Sequence, residues 1–123
     1  MTPIAVLVVD DDEDVRVLLR IILEGCGYRV ACASDGVEAL QRLRDHSPPS
    51  LVVLDLMMPR LSGAELLDIM RADPDLRGIP VLILSGRVAA GETAIAHGAS
   101  GLLLKPVELD QLIEAVRRHT SSA

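Results

Sequence analysis

The sequence predicts a doubly wound α/β domain built on a parallel sheet. Three observations carry this expectation. Five short apolar runs alternate with five amphipathic stretches along the chain. The runs are rich in Val, Leu and Ile and mostly lack polar alternation, which is how strands buried on both faces read. The 123 residues fit a single domain, 1–123. There is no internal repeat, linker or low-complexity segment apart from a short polar tail at about 119–123.

The strand candidates are Ile4–Val9, Tyr28–Ala33, Ser50–Leu54, Ile79–Leu84 and Gly101–Leu104. Between the first two, Val15, Leu18, Leu19 and Ile22 follow the i, i+3, i+4, i+7 spacing of a helix with one apolar face. Asp12 is placed as its N-cap, Glu13 and Asp14 complement its dipole, and Gly25 or Gly27 can stop it. Val37, Leu40 and Leu43 mark a second helix, closed by Pro48 and Pro49, and Leu66, Leu67 and Met70 mark a third, ended before Pro74. The fourth, Val88–His97, is the weakest helical segment, because Gly91 sits in its middle and Gly costs ~1 kcal/mol relative to Ala there; it is expected to be short or mobile. Leu109, Leu112, Ile113 and Val116 mark the fifth. Strict βα alternation with right-handed crossovers gives a flavodoxin-like (βα)5 sheet of order 2-1-3-4-5.

Composition narrows the function. Tyr28 is the only aromatic residue, so the core must be aliphatic. The formal net charge of -6, without a Lys/Arg stripe, argues against nucleic acid as a direct partner. Cys26 and Cys32 form no CxxC pair and have no His cluster nearby, so they read as semi-buried thiols in a reducing compartment. No apolar run approaches the ~18 residues needed to span a membrane, and a cytoplasmic protein is expected.

In a sheet of this order, ligands bind outside the carboxyl ends of the strands near the switch between strands one and three. Asp10 and Asp11 follow strand one, Asp55 ends strand three, Ser85 follows strand four and Lys105 follows strand five. Taken singly, each is an ordinary cap, turn or surface residue. Together they bring three carboxylates, a hydroxyl and an ammonium to one mouth. Three adjacent carboxylates repel, and a hard divalent cation such as Mg²⁺ relieves this with oxygen ligands, typically one or two carboxylates plus a phosphate oxygen. A carboxylate can also be a nucleophile toward phosphorus, forming an aspartyl phosphate, with positive charge and a hydrogen-bond donor to stabilise the transferring group.

These residues resemble the bacterial response-regulator receiver domain over essentially the whole chain. The resemblance is carried by Val8-Val9-Asp10-Asp11, Leu54-Asp55-Leu56-Met57-Met58-Pro59, Gly63, Leu82-Ile83-Leu84-Ser85-Gly86, and Gly98-Ala99-Ser100-Gly101 leading to Lys105-Pro106. It implies a signalling switch, not an enzyme in the usual sense, with intrinsic autophosphorylation and autodephosphorylation. Asp55 would accept a phosphoryl group from a histidine kinase or phosphotransfer protein. Asp10, Asp11, Asp55 and the Met57 backbone carbonyl would hold Mg²⁺ or another divalent cation such as Mn²⁺. Lys105 would pair with the phosphate, its bond to Pro106 cis, and Ser85 would be the switch hydroxyl. The output would lie in a downstream effector protein or a missing effector domain. A phosphorylation-dependent dimer would use helix four, strand five and helix five.

The chain departs from the family pattern in three ways. Leu102 stands where an aromatic residue is frequent, so an aromatic rotamer switch is impossible there. The segment from Ser85 to Gly98 is about two residues short, roughly half a helical turn. Met57 and Arg87 replace frequent Asn and Glu, and Arg87 is expected to alter the dephosphorylation rate. Other readings remain open at this point. One is a haloacid-dehalogenase-like phosphatase with Asp10 as nucleophile in an Asp-x-Asp motif. Another is a receiver that no longer switches and serves as a binding module. A flavin-binding module is disfavoured, because the acids at 10–14 would repel a phosphate.

Overall fold

A computed structural model describes residues 5–45, 47–58 and 60–120. Five strands and five helices alternate in it: β1 Ala5–Val9, α1 Glu13–Gly25, β2 Arg29–Ala33, α2 Gly36–Asp45, β3 Leu51–Asp55, α3 Gly63–Ala72, β4 Val81–Ser85, α4 Val88–Ala96, β5 Gly101–Leu104 and α5 Leu109–Thr120. The strands form one parallel sheet in the order 2-1-3-4-5. The sequence thus located every element. It placed β2, β3 and β4 one or two residues too early, and Asp55 and Ser85 are the last residues of β3 and β4. Ile4 and Pro59 lie outside the described residues, and of the tail expected at 119–123, His119 and Thr120 belong to α5.

Alternation along the buried strands divides the core between two faces. Leu7, Val9, Val52, Leu54, Val81 and Ile83 meet Ala39, Leu43, Leu66, Leu67, Met70 and Ala94 of α2, α3 and α4. Val6, Val8, Leu51, Val53, Leu82 and Leu84 meet Leu19, Leu23, Leu112 and Val116 of α1 and α5. Both clusters are aliphatic. A fully buried Leu of this kind contributes roughly 1.5–3 kcal/mol. Tyr28 is only half-buried, and its hydroxyl lies 3.3 Å from Thr120 Oγ1, joining the approach to β2 with the end of α5.

Three residues expected on core faces, Leu18, Val37 and Leu109, are exposed. Leu18 and Leu109 line an open apolar groove between α1 and α5 instead, together with Val15, Ile22 and Val107. The stripe that α1 buries is centred on Leu19 and Leu23. The cysteines also differ from expectation: Cys26 is exposed at the end of α1, and only Cys32 is half-buried.

Capping follows the sequence where it could be read. Asp12 Oδ1 accepts from Asp14 N–H at 2.9 Å and Val15 N–H at 3.4 Å. Ser62 and Glu65 form a reciprocal capping box on α3. α4 is short, nine residues, and Arg87 at its N-cap makes no side-chain capping bond. Gly91 nevertheless has a structural reason. A Cβ there would stand 2.5 Å from Leu102 Cδ1, so the glycine lets α4 approach β5 over the leucine.

Gly63 is the tighter case. A Cβ on it would overlap the Asp55 carbonyl oxygen and stand 2.7 Å from Leu56 Cα, and its N–H donates to the Leu56 carbonyl at 3.2 Å. The start of α3 therefore rests directly on the end of β3, against backbone that cannot step aside. Gly63→Ala is expected to destabilise the fold by about 1–3 kcal/mol by overpacking, despite the better helix propensity of Ala. Urea unfolding checks this through a lowered midpoint at an unchanged slope.

Candidate functional site

The sheet positions the site through its alternation. Asp10 continues the parity of Val6 and Val8, Asp55 that of Leu51 and Val53, and Lys105 that of Leu103. All three fall on the α1/α5 side of the carboxyl edge. Asp10 and Asp55 are buried, at 1% and 3% exposure, while Asp11 is exposed. Carboxylate oxygens of Asp10, Asp11 and Asp55 lie within 4.8 Å of one another. Lys105 Nζ donates to Asp55 Oδ1 at 3.1 Å and stands 3.6 Å from Asp10 Oδ2. The Lys105–Pro106 peptide is cis, as the family resemblance implied.

The loops fasten these groups. Asp12 N–H donates to Asp10 Oδ1 at 2.9 Å, and Arg16 Nη1 donates to the Asp10 carbonyl at 2.7 Å. Met57 N–H donates to Asp55 Oδ1 at 3.3 Å. Asp10 Oδ2 is, among the described residues, a buried side-chain oxygen with no hydrogen-bond partner. Such an atom, facing two further carboxylates, is what a hard oxygen-seeking cation would complete. The acidic cluster therefore fits a divalent ion.

Burial pushes the Asp10 carboxyl above its usual value, and the negative charge of Asp55 adds to this against the Asp12 N–H and Lys105. At Lys105, burial works toward a lower value. It is outweighed by the hydrogen bond to Asp55 and the charges of Asp10 and Asp55, so the ammonium is held above its usual range.

Ser85 is placed differently from Asp10, Asp55 and Lys105. It shares the parity of Val81 and Ile83, on the α2–α4 side. Its hydroxyl donates to the Arg87 carbonyl at 2.8 Å and accepts from the Arg87 N–H at 3.1 Å. The same carbonyl accepts from Gly91 N–H at 3.1 Å in the first turn of α4. Arg87 is exposed, and these contacts use its backbone. Asp12, the third acid of the Asp-x-Asp reading, is spent capping α1.

Sequence reasoning missed the residues that brace the site. Asp35, 6% exposed, caps α2 by accepting from Glu38 N–H at 2.9 Å. Its Oδ2 also takes Arg60 Nε at 3.1 Å, and Arg60 Nη2 as well. The Glu38 N–H first, then the Arg60 guanidinium, hold the Asp35 carboxyl below its usual range. Asp35 before a helix was readable as a cap, but nothing in the sequence linked it to Arg60, 25 residues away.

Residues 6–117 match the response regulator receiver domain family. The chain is 42% identical over 117 residues to the response regulator MprA of Mycobacterium sp. (strain KMS), covering 94% of this chain and 50% of that protein. It thus spans about half the length of the curated relatives it matches. The receiver domain of NtrX from Brucella abortus superposes with a TM-score of 0.88 at 34% identity, over 96% of this chain and 99% of that one. The chemotaxis protein CheY4 of Vibrio cholerae gives a TM-score of 0.87 at 28% identity, over 95% and 98%.

The chain belongs to the response regulator receiver domain family of two-component signalling, whose members are generally switches and not enzymes in the usual sense. No helix among the described residues is long and apolar enough to cross a membrane.

The raised Asp10 value has a measurable consequence. A carboxyl whose pKa is raised by folding favours the fold when protonated. That contribution is fully present below its ordinary value of 3.8 and is lost as pH rises through the folded value. With divalent ions chelated, Asp10→Asn is therefore expected to melt a few degrees above wild type at pH 7. The gap should close toward pH 3. Melting curves of both proteins across that range check it.

Proposed function

We propose that the protein is a phosphorylation-dependent switch that takes a phosphoryl group onto Asp55 from a phosphohistidine donor, a histidine kinase or a phosphotransfer protein. The observation that carries the reading is the Asp55 carboxylate, buried at the carboxyl edge with Lys105 at 3.1 Å and two further acids within 4.8 Å.

With Oδ1 held by Lys105 and Met57 N–H, we assign Asp55 Oδ2 as the nucleophile. A P–O bond forms there as the donor's P–N bond breaks, and the histidine ring leaves. Lys105, already bridging Asp55 and Asp10, follows the new charge onto a phosphoryl oxygen. Asp10, Asp11, Asp55 and the Met57 carbonyl are the groups that would hold Mg²⁺ or Mn²⁺. A bound divalent cation would neutralise charge on the transferring oxygens. Ser85 must leave the Arg87 carbonyl before its hydroxyl can donate to the phosphoryl group. That movement frees an acceptor at the start of α4 and couples the site to the α4–β5–α5 face, the surface we assign to a phosphorylation-dependent dimer or an effector. The matched relatives are twice as long as this chain, so we place the output in an effector domain or in a separate protein. The cytoplasm is the compartment that suits such a donor.

The phosphatase alternative loses its second acid, because Asp12 is occupied as a cap. Incubation with a small phosphodonor and Mg²⁺, followed by intact-mass measurement, tests the assignment. Wild type should gain one phosphoryl group and Asp55→Asn none, while gain persisting in the variant would move the acceptor elsewhere. Lys105→Ala should slow phosphoryl uptake about 10²-fold, the usual loss when one pre-aimed charge donor is removed.

A further inference from the structure

The segment joining β3 to α3 is fastened at both ends to the acceptor strand. Met57 N–H donates to Asp55 Oδ1 at 3.3 Å, and Gly63 N–H donates to the Leu56 carbonyl at 3.2 Å. Its middle is held from a different element. Arg60 has φ 64, the only positive-φ residue other than glycine among those described. A long side chain in that region is disfavoured and persists only where its surroundings fix it; such residues cluster at functional sites. Here the fixing group is Asp35, a buried carboxylate at the start of α2 whose Oδ2 takes Arg60 Nε and Nη2. The next residue on each side closes the same joint. A Cβ on Gly36 would stand 2.5 Å from the Leu61 carbonyl oxygen, so α2 and the loop are in backbone contact.

We propose that Asp35 and Arg60 are positioning residues for the acceptor loop, an ion pair anchored on α2 that fixes how the loop presents Met57 beside Asp55 and so sets the site's affinity for a divalent cation. This rests on the reading of Met57 and Asp55 as part of a metal-dependent phosphoryl site. Asp35 and Arg60 touch neither the acceptor nor the cation. They act through residues 56–58 and 60–62, which are tied to β3 at Met57 and Gly63 and, among the described residues, carry this charged tie to another element. The pair couples an outer helix to the site, and α2 contributes no residue to the acidic cluster itself.

Three substitutions separate this role from bulk stability. Asp35→Asn keeps an oxygen to cap α2, since Asn caps as well as Asp, but loses the charge that holds the guanidinium. Arg60→Gly relieves the unfavourable φ while deleting the tie, and Arg60→Lys keeps the charge without the fork. The experiment is titration of the purified chain with Mn²⁺ alone by calorimetry. It is paired with phosphoryl uptake from a small phosphodonor as a function of metal concentration. Asp35→Asn and Arg60→Gly should each weaken Mn²⁺ binding about tenfold, a typical loss for a residue that orients metal ligands. The double variant should be no weaker than either single one, and Arg60→Lys should recover part of the loss. At saturating metal the uptake rate should return close to that of wild type. Hydrogen exchange at the Met57 amide should speed up in the metal-free single variants. Wild-type Mn²⁺ affinity in Arg60→Gly, or additive losses in the double variant, would overturn the clamp while leaving Asp55 phosphorylation standing. A wild-type chain that binds no Mn²⁺ and takes up no phosphoryl group would overturn both.

Discussion

Three carboxylates and one ammonium share the carboxyl edge of the sheet, two of the acids are buried, and that imbalance governs what the site can be. Lys105 offsets one of the three negative charges and reaches both Asp55 and Asp10. Burial first, and the charge of Asp55 after it, raise the Asp10 carboxyl, whose Oδ2 has no hydrogen-bond partner among the described residues. A site in this condition is under-neutralised by its own chain. A divalent cation and an incoming phosphoryl oxygen are the complements that suit it, the first by charge and the second by completing a coordination sphere. The surrounding loops hold the acids together against their repulsion: Arg16 and Asp12 on the β1 side, Met57 and Gly63 on the β3 side.

The parallel topology makes that concentration of charge possible. All five strands point the same way, so every carboxyl end opens on one edge. Apolar residues bury the inner strands β1, β3 and β4 on both faces, and polarity appears there where the strands end. The helices then serve two ends. α1 and α5 cover the face on which Asp10, Asp55 and Lys105 fall, and α2–α4 cover the face that receives Ser85. The Ser85 hydroxyl and the Asp55 carboxylate thus approach the mouth from opposite sides of the same sheet.

Much of this was legible in the sequence. The element order, the sheet order and the convergence of Asp10, Asp11, Asp55 and Lys105 follow from apolar run length and the strand-end rule. The sequence brought Ser85 to the same mouth after a strand ending at Leu84; as the last residue of β4 it takes the parity of Val81 and Ile83, away from Asp55. What could not be read were contacts between elements remote in sequence. Leu18 and Leu109 fit helical stripes, but the gap between α1 and α5 leaves them uncovered. Gly91 reads as a weakness in α4 from the sequence alone, but Leu102 lies against it. Arg60 paired with Asp35 leaves no periodic trace, because an ion pair between two loops has no spacing rule.

The aliphatic core leaves the molecule nearly silent to light. Tyr28 is its one residue among Phe, Trp and Tyr, and it sits before β2, at the amino end of the sheet, touching Thr120. By strand register it is about six residues, or about 20 Å, from the level of Asp55 along the strand axis. Its emission therefore reports the seam between β2 and the last turn of α5, and hardly senses the acidic mouth. Any optical signal of events at Asp55 has to be built in, and a signal seen at Tyr28 would report a change at that seam.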